Sequence, residues 1–184
     1  MQYTINWAIQ EFEKHNSLKY LFFWGHQPRK DGQVSKSCFS QWWEEVFVVD
    51  GITYRSAEHW MMAEKARLFQ DEEILQEILA AISPAEAKKL GRSVRNFDPQ
   101  TWDAHKFEIV KQGNLHKFAQ SDALRSFLLT THKRIIVEAS PYDRIWGIGM
   151  SERDPGVENP HNWQGENLLG FALMEVRDEL AEER

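Results

Sequence analysis

The sequence has few of the residues that mark several classes of protein. It contains one cysteine, Cys38, among 184 residues, so neither an internal disulfide nor a cysteine-rich zinc site can form. No apolar run approaches the ~20 residues that a membrane-spanning helix needs, and residues 1–16 lack the apolar stretch of a secretory signal peptide. A lone thiol without such a signal is typical of a reducing compartment, so we expect a cytoplasmic protein.

Positive charge is also scarce. Lys and Arg total 22 against 28 Asp and Glu, which gives a net charge of −6. Proteins that coat nucleic acid need a basic face to displace counterions from phosphates, so this class is excluded, although a local basic pocket is not. The seven histidines include no i, i+3 or i, i+4 pair. The sequence therefore implies neither a metal site nor a redox cofactor.

What the sequence does contain is a globular composition rich in tryptophan. Hydrophobic residues make up 42% and charged residues 27%, which suits one folded core. The chain length favours a single domain over residues 1–184, and an N-terminal helical segment is expected at 1–16. Eight tryptophans are more than a core of this size needs. The surplus suggests a flat ligand that stacks on indole rings.

Hydrophobic periodicity and capping signals predict an α+β fold that is mainly α-helical with a small β-sheet. Asp50-Gly51 between two apolar runs predicts a type I′ hairpin, and Ser83-Pro84 and Asp98-Pro99 predict helix starts. Loops are expected at residues 27–37 and 139–164. We predict helices at residues 5–14, 56–69, 72–82, 84–90, 98–118, 122–130 and 165–182, and strands at 19–24, 46–49, 52–54 and 135–138.

The segment after the hairpin is the most informative for chemistry. Glu58 and Lys65 are seven residues apart, so on a helix they return to nearly the same face after two turns. Met61 and Met62 lie between them, which is unusual for a solvated ion pair, whose members are normally three or four residues apart. The sequence favours two explanations equally: a catalytic face, or an amphipathic helix with solvated ends.

Other candidate groups follow the later elements. Glu138 ends a predicted strand, and Asp143 lies in the irregular loop beyond it, where active-site residues tend to gather; Asp143 equally suits a turn cap after Pro141. Arg92 and Arg95 follow a short helix and could hold phosphate, or could be a solvated helix terminus. The tryptophans that could stack a base are Trp24, Trp42, Trp43, Trp60, Trp102, Trp146 and Trp163, of which Trp60 and Trp102 are the best core candidates.

Several ordered motifs together resemble a known family. The chain is similar to the NADAR (NAD- and ADP-ribose-associated) family, which includes the YbiA-like N-glycosidases, from about residue 19 to residue 180. Gln41 stands where the family's Phe-Ser-Asn-Phe element has asparagine. The motifs that carry the resemblance are Phe23-Trp24, Phe39-Ser40-Gln41-Trp42, Thr53-Tyr54, Glu58-His59-Trp60 with Lys65, Leu90-Gly91-Arg92, Trp102, Lys106, Lys117-Phe118, Val137-Glu138, Asp143, Trp146-Gly147, Gly149 and Gly165-Glu166-Asn167-Leu168-Leu169-Gly170.

The resemblance implies a hydrolase that cleaves N-glycosidic bonds of a small nucleotide-like substrate. The substrate classes it implies are phosphoribosylamino-pyrimidine intermediates of riboflavin synthesis and ADP-ribosylated guanine, the latter also within nucleic acid. Glu58 would stabilise positive charge on the ribose and orient water, and Lys65 would act either as an acid or electrostatic group or as an amine nucleophile. Asp143 would be the second carboxylate.

The remaining site residues would bind the substrate. Trp24, Trp42 or Trp146 would stack the base, Arg92 would hold phosphate, and Glu138 and Asn167 would line the pocket. The alternatives are a non-catalytic module that binds ADP-ribose or a nucleotide, and a purely structural domain that binds a partner through an exposed apolar patch.

Overall fold

A computed structural model describes residues 1–14 and 18–182. Its mainly helical α+β architecture confirms the predicted fold class, with the sheet divided into two pairs of strands. Two short 3₁₀ helices, Lys36–Phe39 and Pro160–Asn162, were not predicted. The other elements in the described residues are α1 (Ile5–Lys14), β1 (Tyr20–Phe23), β2 (Glu44–Val49), β3 (Ile52–Ser56), α2 (Ala57–Leu68), α3 (Glu72–Ala80), α4 (Pro84–Gly91), α5 (Pro99–Ala119), α6 (Asp122–Leu129), β4 (Ile135–Glu138) and α7 (Leu168–Glu182).

The chain divides into two compact units. The first comprises Met1–Ser40 with Ala123–Arg184, and the second comprises Gln41–Asp122. The single domain expected from chain length stays a prediction. The predicted helix at 5–14 is confirmed as α1, whereas residues 15 and 16 of the predicted N-terminal segment lie outside the described residues.

In the first unit, β1 and β4 pair in parallel, with Tyr20 opposite Ile135 and Phe23 opposite Glu138. Helix α7 packs on β4, and a side chain at Gly170 would overlap the Ile136 carbonyl. The predicted helix at 165–182 begins three residues later than expected. The reason is Asn167, which has a φ of +54° and whose N–H donates to the Gly147 carbonyl, so that the chain is still a loop there.

In the second unit, β2 and β3 form the predicted hairpin. Asp50 and Gly51 have φ values of +49° and +78°, as a type I′ turn requires. The outer edge of β2 is bonded by a side chain, because the Gln120 amide donates to the Val48 carbonyl and accepts from the Val48 N–H, both at 2.9 Å. This pairing satisfies backbone groups that an edge strand would otherwise present to another chain.

Helix starts in the second unit follow the predicted capping signals. The side chains of Ser56, Ser83 and Asp98 each accept a hydrogen bond from the backbone N–H three residues later. Asp71 caps α3 in the same way. These caps satisfy N–H groups that have no partner within the helix, and they fix where each helix begins.

Helix α2 packs closely on α5 at one glycine. The Trp60 indole lies against Gly113 and donates its Nε1–H to the Ile109 carbonyl of α5 at 2.8 Å. A Cβ at position 113 would overlap the indole ring. The prediction that Trp60 belongs to the core is confirmed by its burial.

We expect Gly113→Ala to lower the free energy of unfolding by about 1–3 kcal/mol, the usual cost of overpacking a core. This is opposite in sign to the gain of up to about 1 kcal/mol that alanine normally brings inside a helix. Urea denaturation measures the change, with His105→Ala at an exposed position of α5 as the control. A stabilised Gly113→Ala protein would show that the indole can move aside.

Candidate active site

Glu58 is buried in the first turn of α2, with 5% of its surface exposed. Its backbone N–H donates to the Gln41 carbonyl at 3.0 Å. A carboxylate at this end of a helix is stabilised by the partial positive charge of the free N–H groups. The structure therefore places Glu58 in a largely water-excluded position, which does not fit the alternative of a helix with solvated ends.

His59, the next residue, is held in one tautomer. Its Nε2 lies 3.0 Å from the Ala81 carbonyl and must donate to it, so Nδ1 accepts from the Ser56 hydroxyl at 2.7 Å. Burial lowers the pKa of His59 below its usual value of 6.5, and the Arg55 charge adds to the lowering, whereas the Ala81 bond and the Glu44 and Glu86 charges raise it. The imidazole is therefore a neutral structural group beside Glu58.

Lys65 lies two turns along α2 and is half-buried. Its ammonium donates to the Gly91 carbonyl at 2.8 Å and lies 4.4 Å from the centre of the Phe97 ring and 5.7 Å from that of Trp102. Burial lowers the pKa of Lys65, and the Arg92 charge lowers it further. A lysine amine in such surroundings loses its proton more readily than one in water.

The aromatic groups around Lys65 correct one prediction and add a residue. Trp102 was expected in the core, but it is only half-buried and its ring faces the Lys65 ammonium. Phe97 was not identified from the sequence, because it lies just before α5, where no periodic pattern marks it. The sequence signal that could have drawn attention to it is an aromatic residue directly before the Asp98-Pro99 helix start.

Arg92 and Arg95 have different surroundings. Arg92 caps the C-terminus of α4 and is exposed, as the alternative explanation expected, and its charge acts on Lys65. The Arg95 guanidinium instead binds both oxygens of the Asp71 carboxylate, at 2.5 and 3.1 Å, and also contacts Glu73. Arg95 is therefore committed to an ion pair, which lowers the pKa of Asp71, whereas Arg92 presents a cation near an amine.

Trp42 follows Gln41 and is half-buried. The Lys88 ammonium lies 5.7 Å from the centre of its ring, a distance at which a cation is attracted to an indole face. Of the predicted site residues, the second unit thus holds Glu58, Lys65, Trp42 and Arg92. The charge of Arg92 acts on Lys65, and Glu58 and Lys65 lie on the same helix.

In the first unit, Glu138 and Asn167 are brought together at the end of β4. The Asn167 Oδ1 accepts from the Glu138 N–H at 2.9 Å, and its Nδ2 donates to the Ile136 carbonyl at 3.0 Å. Asn167 is fully buried and both ends of its amide are bonded to β4. It holds the backbone that carries Glu138, and direct contact with substrate stays a prediction for both residues.

Asp143 and Trp146 belong to one turn of the following loop. The Asp143 Oδ1 accepts from the N–H groups of Ile145 and Trp146 at 2.9 and 2.8 Å. Asp143 thus has the turn-capping role that the sequence allowed, and a catalytic role for it stays a prediction. Gly147 lies against the Glu138 carbonyl, where a Cβ would not fit, so this turn is packed onto the end of β4.

Trp24 lies just beyond β1 and is 57% exposed. Its ring centre is 5.9 Å from that of Tyr142, which is also exposed. Trp146 is half-buried. These rings are accessible for stacking, unlike Trp163, which is buried and donates to the Val157 carbonyl.

Residues 1–14 and 18–182 contain neither a metal-binding cluster nor a membrane-spanning helix. No cluster of three or more His, Cys, Asp or Glu side chains is placed to hold a metal ion. No helix in this part of the chain has the length and apolarity to cross a membrane.

Comparison with known proteins identifies the family. The NADAR domain model matches residues 22–181. The chain belongs to the NADAR family. Among its relatives, N-glycosidase R617 of Acanthamoeba polyphaga mimivirus is 45% identical over 167 residues, which cover 88% of this chain and 96% of the relative.

Bacterial NADAR proteins are also similar to this chain. N-glycosidase YbiA of Escherichia coli (strain K12) is 33% identical over 136 residues, which cover 74% of this chain and 76% of that protein. The NMR structure of Escherichia coli YbiA has a TM-score of 0.72 and 28% identity, covering 90% of this chain and 86% of the other. The NADAR fold expected from the motifs is therefore confirmed.

The surroundings of Lys65 predict a measurable coupling to Arg92. Because the Arg92 charge lowers the pKa of Lys65, we expect Arg92→Met to raise it, while burial still keeps it below 10.5. NMR titration of the lysine ε-methylene groups measures the change. Lys89→Met, an exposed cation on the same helix, is the control and should leave the Lys65 titration in place. An unchanged pKa in Arg92→Met would contradict the coupling.

The neutral state of His59 predicts a dependence of stability on pH. Its pKa is lower in the folded chain than in the unfolded chain, so the unfolded chain binds the proton more readily. The contribution of His59 to stability should therefore be lost as the pH falls from about 6.5, the ordinary histidine pKa, through the lower pKa of the folded chain. We expect the free energy of unfolding to fall more steeply for wild type than for His59→Gln between pH 7.5 and 5, as urea denaturation would measure. If the free energy of unfolding changed equally with pH in wild type and His59→Gln, the lowered pKa of His59 would be contradicted.

Proposed function

We propose that this chain hydrolyses the ribose C1′–N bond of phosphoribosylamino-pyrimidine intermediates or of related ADP-ribosyl nucleotides. The broader activity, that of a hydrolase acting on N-glycosyl bonds, follows from its membership of the NADAR family and from relatives that are N-glycosidases. The observation that carries the proposal is the pairing, on one helix, of a buried carboxylate at Glu58 with a half-buried amine at Lys65. A cytoplasmic location stays a prediction.

Glu58 is proposed as the central catalytic group. When the C1′–N bond breaks, its electron pair leaves with the nitrogen, and positive charge develops on C1′ and the ring oxygen. A carboxylate in a water-poor site stabilises that charge more strongly than one in bulk water. The same group can accept a proton from the water that adds to C1′, while the departing nitrogen gains a proton.

Lys65 is proposed to act on the same bond in one of two ways. As an ammonium, it would protonate or polarise the leaving group. As a neutral amine, it would attack C1′ and displace the base nitrogen, and water would later release the sugar. The lowered pKa of Lys65 is compatible with both, since the pKa of an acid or a nucleophile is most useful near the operating pH.

The second unit also contains groups that could bind the substrate. Arg92 presents an exposed guanidinium close to the Lys65 amine, and two neighbouring cations favour a phosphate. Trp42, Trp102 and Phe97 offer aromatic faces for a base or a sugar. Their positions support a substrate that combines phosphate with a planar ring.

In the first unit, Asp143 is proposed as a second carboxylate that binds ribose hydroxyls or water. Its Oδ1 is fixed by two backbone N–H groups, which orients the carboxylate. Trp24 and Trp146 would stack the base, and Glu138 would line the pocket at the strand end that Asn167 holds. A non-catalytic binding module would use the same rings and arginine without needing Glu58.

The test is hydrolysis of a substrate panel followed by mass spectrometry. The panel contains the phosphoribosylamino-pyrimidines, ADP-ribosyl-guanosine and NAD, and we expect Glu58→Gln to lose about 10²–10⁴-fold in rate. Glu64→Gln removes the charge of a half-buried carboxylate on the same helix that pairs with Arg67; it is the matched control and should keep full activity. Release of ribose 5-phosphate from the phosphoribosylamino-pyrimidines, or of ADP-ribose from ADP-ribosyl-guanosine, identifies the substrate class. A folded, fully active Glu58→Gln protein would refute the role of Glu58, and ADP-ribose binding without any turnover would favour the binding module.

A second experiment separates the two roles of Lys65. Lys65→Arg keeps the positive charge but removes a readily deprotonated amine. A nucleophilic role predicts loss of at least about 10²-fold in rate and a sugar adduct on Lys65 of wild type that borohydride traps. An electrostatic role predicts partial activity in Lys65→Arg and no adduct.

A further inference from the structure

Two buried amides meet beside the backbone of Glu58. Gln41 is 8% exposed and Asn114, on α5, is fully buried. The Asn114 Nδ2 donates both of its hydrogens, to the Gln41 Oε1 at 2.8 Å and to the Val110 carbonyl at 2.9 Å. The Val110 carbonyl can only accept, so the nitrogen of the Asn114 amide must face it, and that nitrogen in turn requires the oxygen of the Gln41 amide as its acceptor.

Each of the two amides has one further polar group that the other does not bond. The Gln41 Nε2 and the Asn114 Oδ1 are buried and form no hydrogen bond within the described residues. Leaving a buried donor and acceptor unpaired costs stability, and replacing both partners by apolar groups of similar shape is often neutral or stabilising. The chain therefore carries a costly polar pair at a place where leucine and methionine would pack.

The location of the pair suggests why the chain carries it. The same Gln41 that bonds Asn114 through its side chain accepts the Glu58 N–H through its backbone carbonyl. Gln41 thus joins the middle of α5 to the first turn of α2. It also precedes Trp42, whose ring is one of the proposed stacking groups.

We propose that Gln41 and Asn114 are positioning residues that fix Glu58 for catalysis. They act through the backbone: the amide pair holds the Gln41 carbonyl, and that carbonyl holds the N–H of the residue whose carboxylate does the chemistry. This inference rests on the proposed function, and it gives a role to Gln41, which the sequence marked only as part of a motif, and to Asn114, which no sequence pattern selected.

The decisive variants are Gln41→Met, Asn114→Leu and their combination. Each single variant leaves one amide without its partner, so each should be less stable than wild type. The double variant removes both amides and should recover most of that stability, as thermal unfolding would measure. The matched control is Gln112→Leu, an amide on the same helix that bonds only Glu108 one turn earlier.

A positioning role predicts that activity does not recover with stability. In the double variant kcat should stay at least about 10-fold below wild type, while KM changes by less than about 3-fold, as expected when only transition-state interactions are lost. The control should match wild type in both constants. If kcat of the double variant returns to the wild-type value along with its stability, the amides have a purely structural role and the proposal is overturned.

A second measurement does not depend on activity. Hydrogen exchange of the Glu58 amide, followed by NMR, should accelerate at least about 10-fold in the double variant relative to that of Trp60 on the same helix. If wild type hydrolyses none of the panel but this acceleration is found, the proposed function fails while the structural link to Glu58 stands. Unchanged exchange at Glu58 would overturn the inference whatever the activity.

Discussion

The burial of α2 is the constraint on which the second unit depends. Eight of its twelve residues are buried, including Glu58 and His59, and it contacts β3, α3, α4 and α5. Burying the start of a helix requires that its free N–H groups find partners. Gln41 supplies one and the Ser56 side chain another, so the start of α2 can be buried together with the Glu58 carboxylate.

The first unit depends on hydrogen bonds between a loop and a short pair of strands. Its two strands form only a four-residue parallel pair, which is small for a stable sheet. The loop after β4 stabilises this pair, because Ile148 donates to the Glu138 carbonyl and the Asn167 amide bonds two backbone groups, the Ile136 carbonyl and the Glu138 N–H, on the edge of β4 that faces away from β1. Asp143, Trp146 and Glu138 are consequently held by backbone hydrogen bonds although they lie in or next to an irregular segment.

Much of the fold could be predicted because local signals fix it. The hairpin turn at Asp50-Gly51 and the proline-marked starts of α4 and α5 depend on neighbouring residues only. The site is less predictable, since its contacts join distant positions. Phe97 reaches Lys65 through the packing of α2, and Gln41 and Asn114 meet across 73 positions. Trp102 was placed in the core because an indole in a first turn usually packs inward, whereas here the neighbouring cation gives its ring a polar partner.

The side-chain bond at the edge of β2 has a consequence for association between chains. Val46 and Val48 are exposed on this strand, so an open backbone beside them would be a template on which a second hairpin could pair. Gln120 behaves as a one-residue mimic of a neighbouring strand, offering an acceptor and a donor in the same spacing as a peptide group. A glutamate there, though nearly identical in shape, has no hydrogen to give the Val48 carbonyl. The Gln120 amide thus protects the edge of β2 at Val48 by providing both the donor and the acceptor that a neighbouring strand would offer.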